Sequence, residues 1–275
     1  MTTALRPLST GELLDQTFSL YRSHFGMFVS IFAIPHLVVL GAQFLQLAVQ
    51  RPDARVPNVF ASLLWVLGLA ILGLVMAAMS QAAGVIAVSD LYLNRPATVS
   101  GSFSRVKGQI IGVLGLSMLM AFCIFAGTIA FIVPGVLLTI IWCCSVPAKV
   151  LENKGVFEAM SRSVDLTKGD WGRIFIVILL VGALSWGVRL LLQAPILFAT
   201  YASAKAGMRG AVLGWQIASL VAAFISESLV GALGVIAFSL VYYDERVRKE
   251  AFDLQLMMMN LDPPQAPPSP AQVGA

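Results

Sequence analysis

Arg189 and Glu227 are the residues of this chain best placed to do chemistry, because each interrupts a long stretch that is otherwise almost free of charge. An ionisable group inside lipid is costly, and it tends to face the interior of a helix bundle with a partner. Depth is counted from Gly172 for Arg189 and from Tyr242 for Glu227, the ends of their spans where basic residues concentrate. At 1.5 Å per residue both fall at a depth of about 23–26 Å, so the two side chains can pair. Three roles fit that placement. The pair can fix the last two helices as a salt bridge. Arg189 can instead reach the outer headgroups while Glu227 is protonated or bonded to Ser226 or Ser228. The two can also form a coupling or substrate site.

The rest of the chemical inventory is thin. His24 and His36 are the only histidines, and neither has the neighbours of a metal cluster. His36 stands beside Pro35 inside an apolar run, where a helix-to-helix hydrogen bond is its simplest use. No HExxH, GxSxG, Walker-type glycine loop or CxxC occurs. Cys123, Cys143 and Cys144 lie in apolar runs and read as small buried hydrophobes. No catalytic residue, metal or cofactor is expected, and the chain does not read as an enzyme.

The elements that must position these residues are membrane spans. Hydrophobic residues make up 58% of the chain and charged ones 12%, with a mean hydropathy of +0.86, whereas soluble domains run at about 45–50% and about 25%. Uncharged runs cover Met27 to Gln50, Val56 to Ser89, Gln109 to Ala148, Ile174 to Val188 and Gly210 to Ser226. A span needs about 20 such residues. The reading is an all-α polytopic membrane protein with six transmembrane helices: Met27 to Val49, Phe60 to Ala83, Ile110 to Val133, Pro134 to Val150, Gly172 to Ala194 and Ala211 to Tyr242. Pro134 opens the fourth, since the first turn needs no N–H from it. The glycine pairs Gly108/Gly112 and Gly210/Gly214 have the spacing that permits close helix approach. No secretory signal is expected, because Arg6, Glu12, Asp15 and Arg22 all stand ahead of the first apolar run.

Basic residues orient the spans. Arg6, Arg22, Arg95, Arg105, Lys107, Lys149, Lys154, Arg162, Lys168, Arg173, Arg246, Arg248 and Lys249 fall on the N-terminal side, against Arg51, Arg55, Lys205 and Arg209 on the other. Thirteen against four places both termini in the cytoplasm, in a bacterial inner (plasma) membrane. The net charge of +4 is a topology signal here rather than a nucleic-acid signal. YYDERVRKEAFDLQLMMM reads as a solvated, mixed-charge extension of the last span, able to dock a protein partner. The tail over 261–275 has five prolines and no apolar periodicity, which predicts an extended, disordered segment after a single helical domain over 1–260.

Short polar helices precede the spans. Ser9 followed by Glu12 is a capping box flanked by Leu8 and Leu13, and Leu14, Phe18, Tyr21 and Phe25 then share one helical face. GELLDQTFSLYRSHFG pairs with VFEAMSRSVDLTKGDWG at an offset of 146, with Glu12 over Glu158 and Arg22 over Lys168. A weaker copy, ATVSGSFSRVKGQI, sits at an offset of 61 from the second and sets Lys107 over Lys168. The chain divides into three units, over 9–91, 97–150 and 156–243, each an amphipathic helix followed by two spans, with the axis of this parallel repeat along the membrane normal. Ser9 and Glu12 cap the first helix, and Arg22, Lys107 and Lys168 are the expected headgroup anchors of three cytoplasmic interfacial helices on membrane lipids.

LSTGELLDQTFSLYRSHFG, then VPGVLLTIIWCCSVPAKVLENKGVFEAMSRSVDLTKGDWGRIF, then YYDERVRKEAFDLQLM, resemble the bacterial membrane domain of glycerophosphoryl diester phosphodiesterases and its stand-alone relatives. In fused members of that family the resemblance implies that a separate soluble barrel, with Glu, Asp and His at its metal site, carries out hydrolysis; no such barrel is read in this sequence. Ile141 stands before Trp142 where relatives often place an Arg. The expectation is a non-catalytic membrane scaffold or accessory protein linked to envelope or lipid metabolism, with membrane lipids and a cytoplasmic protein as partners and no nucleic acid. The alternative is a transporter or lipid-handling permease built on Arg189 and Glu227, which requires a polar path reaching Glu227.

Overall fold

Ser9 begins the first helix as its spacing predicts. Its hydroxyl accepts the Glu12 N–H at 3.3 Å, while the Glu12 carboxylate accepts the Ser9 N–H at 2.8 Å, satisfying two donors that a helix start leaves open. In the computed structural model, which describes residues 7–49 and 59–251, ten helices follow in order and no strand occurs among the described residues. They are α1 (Thr10–Ser23), α2 (Phe25–Val49), α3 (Val59–Tyr92), α4 (Val99–Val106), α5 (Ile110–Ala130), α6 (Ile132–Ile141), α7 (Ser145–Leu151), α8 (Val156–Thr167), α9 (Trp171–Lys205) and α10 (Arg209–Glu250). Arg6, Arg51, Arg55 and the tail over 261–275 lie outside the described residues.

Six segments are long and apolar enough to cross a membrane: Phe25–Ala48, Ser62–Tyr92, Ile110–Ala130, Ile132–Leu151, Trp171–Lys205 and Gly210–Glu250. They mark the chain as a multi-pass membrane protein, and their outward faces carry exposed side chains such as Ile111, Phe122, Phe131, Leu191 and Phe198. The fifth helix runs past its expected end at Ala194. Pro195 lies inside α9 without ending it, because a span can tolerate one lost backbone bond when neighbouring groups compensate.

The fourth span is broken, contrary to the continuous helix expected. Pro147 has no N–H, and its ring crowds the carbonyl four residues back, at Cys143; the chain leaves helical geometry between α6 and α7, at residues 142–144. Freed backbone groups inside a membrane must find partners. Ser163 of α8 supplies them. Its hydroxyl donates to the Ile141 carbonyl at 2.7 Å and accepts the Cys144 N–H at 3.2 Å, and Thr167 adds a 3.3 Å bond to the same carbonyl.

The short helices α1, α4 and α8 gather at one end of the bundle, around the ends of α3 and α10. Their buried faces carry a hydroxyl at one register: Thr17, Ser102 and Ser163 are all buried. Thr17 and Ser102 donate to the carbonyls four residues back, Leu13 and Thr98, at 2.8 and 3.0 Å. Glu158 accepts the Gly155 N–H at 3.0 Å, as Glu12 does for Ser9. Of the apolar stripe expected on α1, Leu14 and Tyr21 pack half-buried against the core and Phe25 is exposed, while the fully buried residues of the helix are Leu13 and Thr17; the Tyr21 hydroxyl donates to the Leu229 carbonyl of α10 at 2.9 Å.

Close helix approach occurs at other glycines than the expected pairs. Around Gly108, Gly210 and Gly214 a Cβ would meet nothing within 4 Å, and Gly112 faces only the Lys149 side chain. The helices meet at Gly231, whose Cβ would stand 2.5 Å from the Phe32 ring, and at Gly84, whose Cβ would stand 2.9 Å from Val235. Thus α2, α3 and α10 form the tight core of the bundle.

Candidate functional site

The structure brings Arg189 and Glu227 together. One guanidinium nitrogen of Arg189, on α9, lies 3.0 Å from both carboxylate oxygens of Glu227, on α10. Neither serine expected as an alternative partner is used by Glu227: Ser228 donates to the Phe224 carbonyl at 2.7 Å, and the Ser226 hydroxyl is buried with no hydrogen-bond partner. One turn farther along α9, Gln193 and Ser219 exchange bonds of 3.1 and 3.3 Å across the same seam. The pair is not sealed in a core, however. Its side chains are 46% and 39% exposed.

That exposure is explained by a cavity of about 320 Å³, within the size range of small-ligand sites. All six spans contribute to its wall: Phe32 and His36 from α2, Gln81 and Val85 from α3, Met120 and Ile124 from α5, Thr139, Trp142 and Val146 from the broken fourth span, Arg189 from α9, and Glu227 and Phe238 from α10. Aliphatic and aromatic side chains make up most of the lining, and the ion pair, His36, Gln81 and Thr139 supply its polar groups. His36 Nδ1 donates to the Phe32 carbonyl of its own helix at 2.8 Å, so it does not bridge helices as expected. In the neutral ring, this leaves Nε2 as a hydrogen-bond acceptor.

A second polar cluster, which the sequence pattern presents as solvated charge, is buried at the end of the bundle that holds the short helices. Tyr242, Tyr243, Asp244 and Glu245 are all buried, correcting the expectation that YYDER starts an exposed extension. Their partners come from distant parts of the chain. Asp244 accepts the Leu8 N–H at 2.7 Å, across 236 residues. Arg173 reaches Asp244 and Glu245, each at 2.5 Å, and also donates to the Leu8 carbonyl at 3.0 Å. Arg248 donates to Asp244 at 2.9 Å and to the Leu8 carbonyl at 2.5 Å. Lys249 caps α8, donating to the carbonyls of Asp165, Leu166 and Lys168 at 3.2, 2.7 and 2.6 Å, where a helix leaves its last acceptors open.

Glu152 extends this cluster. It accepts the Tyr242 hydroxyl at 2.7 Å, Arg162 at 3.1 Å through both oxygens and Lys154 at 3.2 Å, while Arg162 also pairs with Glu250. Burial alone pushes the Glu152 carboxyl up; the Tyr242 and Arg162 hydrogen bonds outweigh it and hold the group below the usual glutamate range. Against its own burial, the Arg162 guanidinium is held above its ordinary value by Glu250 and Glu152.

The remaining predicted residues are dispersed. Arg22, Lys107 and Lys168 are exposed near the ends of α1, α4 and α8, and Ser9 and Glu12 cap α1. His24 lies near the surface with Nδ1 2.9 Å from the Ser23 hydroxyl. Cys143 and Cys144 are buried, Cys123 is half-buried, and all three are free thiols. Among the described residues no group of three His, Cys, Asp or Glu could hold a metal ion. No family model, curated protein or solved structure matches this chain.

Proposed function

We propose that the protein is a non-catalytic membrane protein that handles a lipid-like amphiphile in the cavity at the centre of its six spans, as a permease or carrier. The observation that carries this reading is the 320 Å³ cavity reaching Arg189 and Glu227. A half-exposed ion pair in a membrane needs polar company, and a headgroup supplies it while chains lie along Phe32, Met120, Ile124 and Phe238. The test is purification in mild detergent with bound lipid identified by native mass spectrometry. Lipid in fixed stoichiometry, lost in folded Arg189→Leu and Glu227→Gln variants, supports the reading. A lipid-free wild type, or equal retention by the variants, contradicts it.

The second reading is a scaffold for a protein partner in envelope or lipid metabolism. It is favoured by the network that locks Leu8, Arg173, Asp244 and Lys249 into a fixed platform. Recovery of one stoichiometric protein with a lipid-free chain would select it. Kinship with the phosphodiesterase membrane-domain family rests on the segments quoted above and carries no hydrolase activity here.

We further infer that α1, α4 and α8 are interfacial helices on the cytoplasmic side of a bacterial inner membrane, with both termini on that side, and that they head three repeats. The equivalent buried hydroxyls of Thr17, Ser102 and Ser163 and the matching Glu12 and Glu158 caps support the repeat. Exposed Phe25, Phe157 and Trp171 support the interfacial placement, aromatic rings being favoured at headgroup level.

A further inference from the structure

A second cavity, of about 340 Å³, opens at the end of the bundle that holds the short helices, between α3, α4, α7 and α10. Asp90, Arg95, Arg105, Gln109, Tyr243 and Arg246 line it. Three guanidinium groups therefore face one carboxylate. Asp90 is already engaged: its carboxylate pairs with Arg105, and its carbonyl accepts the Arg95 N–H at 2.7 Å. That second bond closes a turn in which Asn94 adopts φ 54°, a left-handed conformation that asparagine tolerates, and it fixes Arg95 at the rim. The Tyr243 and Ser89 hydroxyls satisfy each other at 2.7 Å, and Arg246 is tied to Glu250 at 3.0 Å.

Two groups in the wall are left over. Among the described residues the Arg95 guanidinium takes part in no ion pair. The Gln109 side-chain oxygen is buried with no hydrogen-bond partner. An amide in that position is costly to leave unsatisfied, and by rotation it can present its NH₂ group to an anion instead. Surplus positive charge, planar guanidinium donors and a buried amide match a phosphate group, which arginine binds through paired, charge-assisted bonds.

We propose that this cavity is a phosphate-binding site, distinct from the intramembrane cavity, that takes a phosphate ester either as a lipid headgroup from the adjoining leaflet or as a soluble molecule. Arg95 is the principal ligand, Gln109 the buried contact, and Arg105 and Arg246 complete the positive wall.

The test uses the full chain in detergent and in nanodiscs. Inorganic phosphate is titrated as the soluble probe, and phosphatidic acid in a phosphatidylcholine nanodisc as the lipid probe, with thermal stabilisation as the readout. A saturable response to inorganic phosphate identifies a soluble ester site; a response to phosphatidic acid alone identifies a headgroup site. In either case Arg95→Gln and Gln109→Leu should weaken the apparent affinity by about tenfold or more, a loss of one good charge-assisted contact. Lys205→Gln, an exposed cation in the last turn of α9, should leave it unchanged. No saturable response to either probe, or equal weakening by Arg95→Gln and Lys205→Gln, overturns the site. Arg189→Leu should not alter this response, which keeps the test independent of the intramembrane cavity.

Discussion

Glu152 shows how single residues hold this fold. Its carboxyl lies below the ordinary range because Tyr242 and Arg162 favour the charged form more than burial disfavours it. A group depressed on folding contributes stability above its unfolded value, about 4.3 for glutamate, and that contribution is lost as the pH falls through the lower folded value. Glu152→Gln should therefore lower the melting temperature in detergent at neutral pH, with a cost of about 1.5–3 kcal/mol for a charged hydrogen bond. The difference from wild type should shrink as the pH falls through that window; a difference that stays constant far into acid, below the ordinary glutamate range, would show that the charge of Glu152 is not what stabilises. At the same scale, Arg189 was legible in the sequence because a charge in an apolar run is conspicuous. The role of Asp244 was not. Charge beside charge at a helix end looks solvated, and its partners at Leu8 and Arg173 are brought to it only by the fold.

At the scale of elements, the broken fourth span is the feature that sequence periodicity concealed. The run from Pro134 to Val150 is long and apolar enough for one helix, and Pro147 gave the only local sign of a break. What makes the break tolerable is Ser163, on a different element, whose hydroxyl bonds both Ile141 and Cys144. Ser163→Ala should destabilise the protein by about 1–3 kcal/mol, the cost of leaving buried backbone groups unsatisfied, and Ser163→Thr should recover part of the loss. The melting temperatures of the two variants check this; an unchanged Ser163→Ala protein would mean that the break is supported otherwise. The spacing of Gly108 with Gly112 and Gly210 with Gly214 gave no guide to packing, because a small residue permits close approach only where a neighbour arrives. At Gly231 the Phe32 ring does arrive. Gly231→Ala should cost about 1–3 kcal/mol through overpacking, read as a lower melting temperature, whereas Gly210→Ala should be close to neutral.

At the scale of the whole molecule, composition already made the chain a membrane protein, and the structure supplies six helices able to span. The asymmetry of basic residues is the basis for proposing that the end holding α1, α4 and α8 faces the cytoplasm. In a background with the three native cysteines replaced, Lys107→Cys and Lys168→Cys should react with an impermeant thiol reagent in inverted vesicles and not in right-side-out ones; the opposite pattern would reverse the topology. The central cavity was not legible in the sequence. His36, Gln81, Thr139 and the ion pair are spread over five spans, and no periodicity along one helix reports the void between several.

Occupancy of that void by a lipid-like molecule can be measured directly. A photoreactive residue at Met120 faces the cavity, and one at Met118, two positions away on α5, is exposed on the bundle surface. Irradiated in membranes, both positions should form lipid adducts in the otherwise wild-type chain. In the Arg189→Leu, Glu227→Gln chain only the adduct at Met118 should persist. No adduct at Met120, or adducts at both positions indifferent to loss of the ion pair, would contradict the assignment of the cavity to an amphiphile held by Arg189 and Glu227.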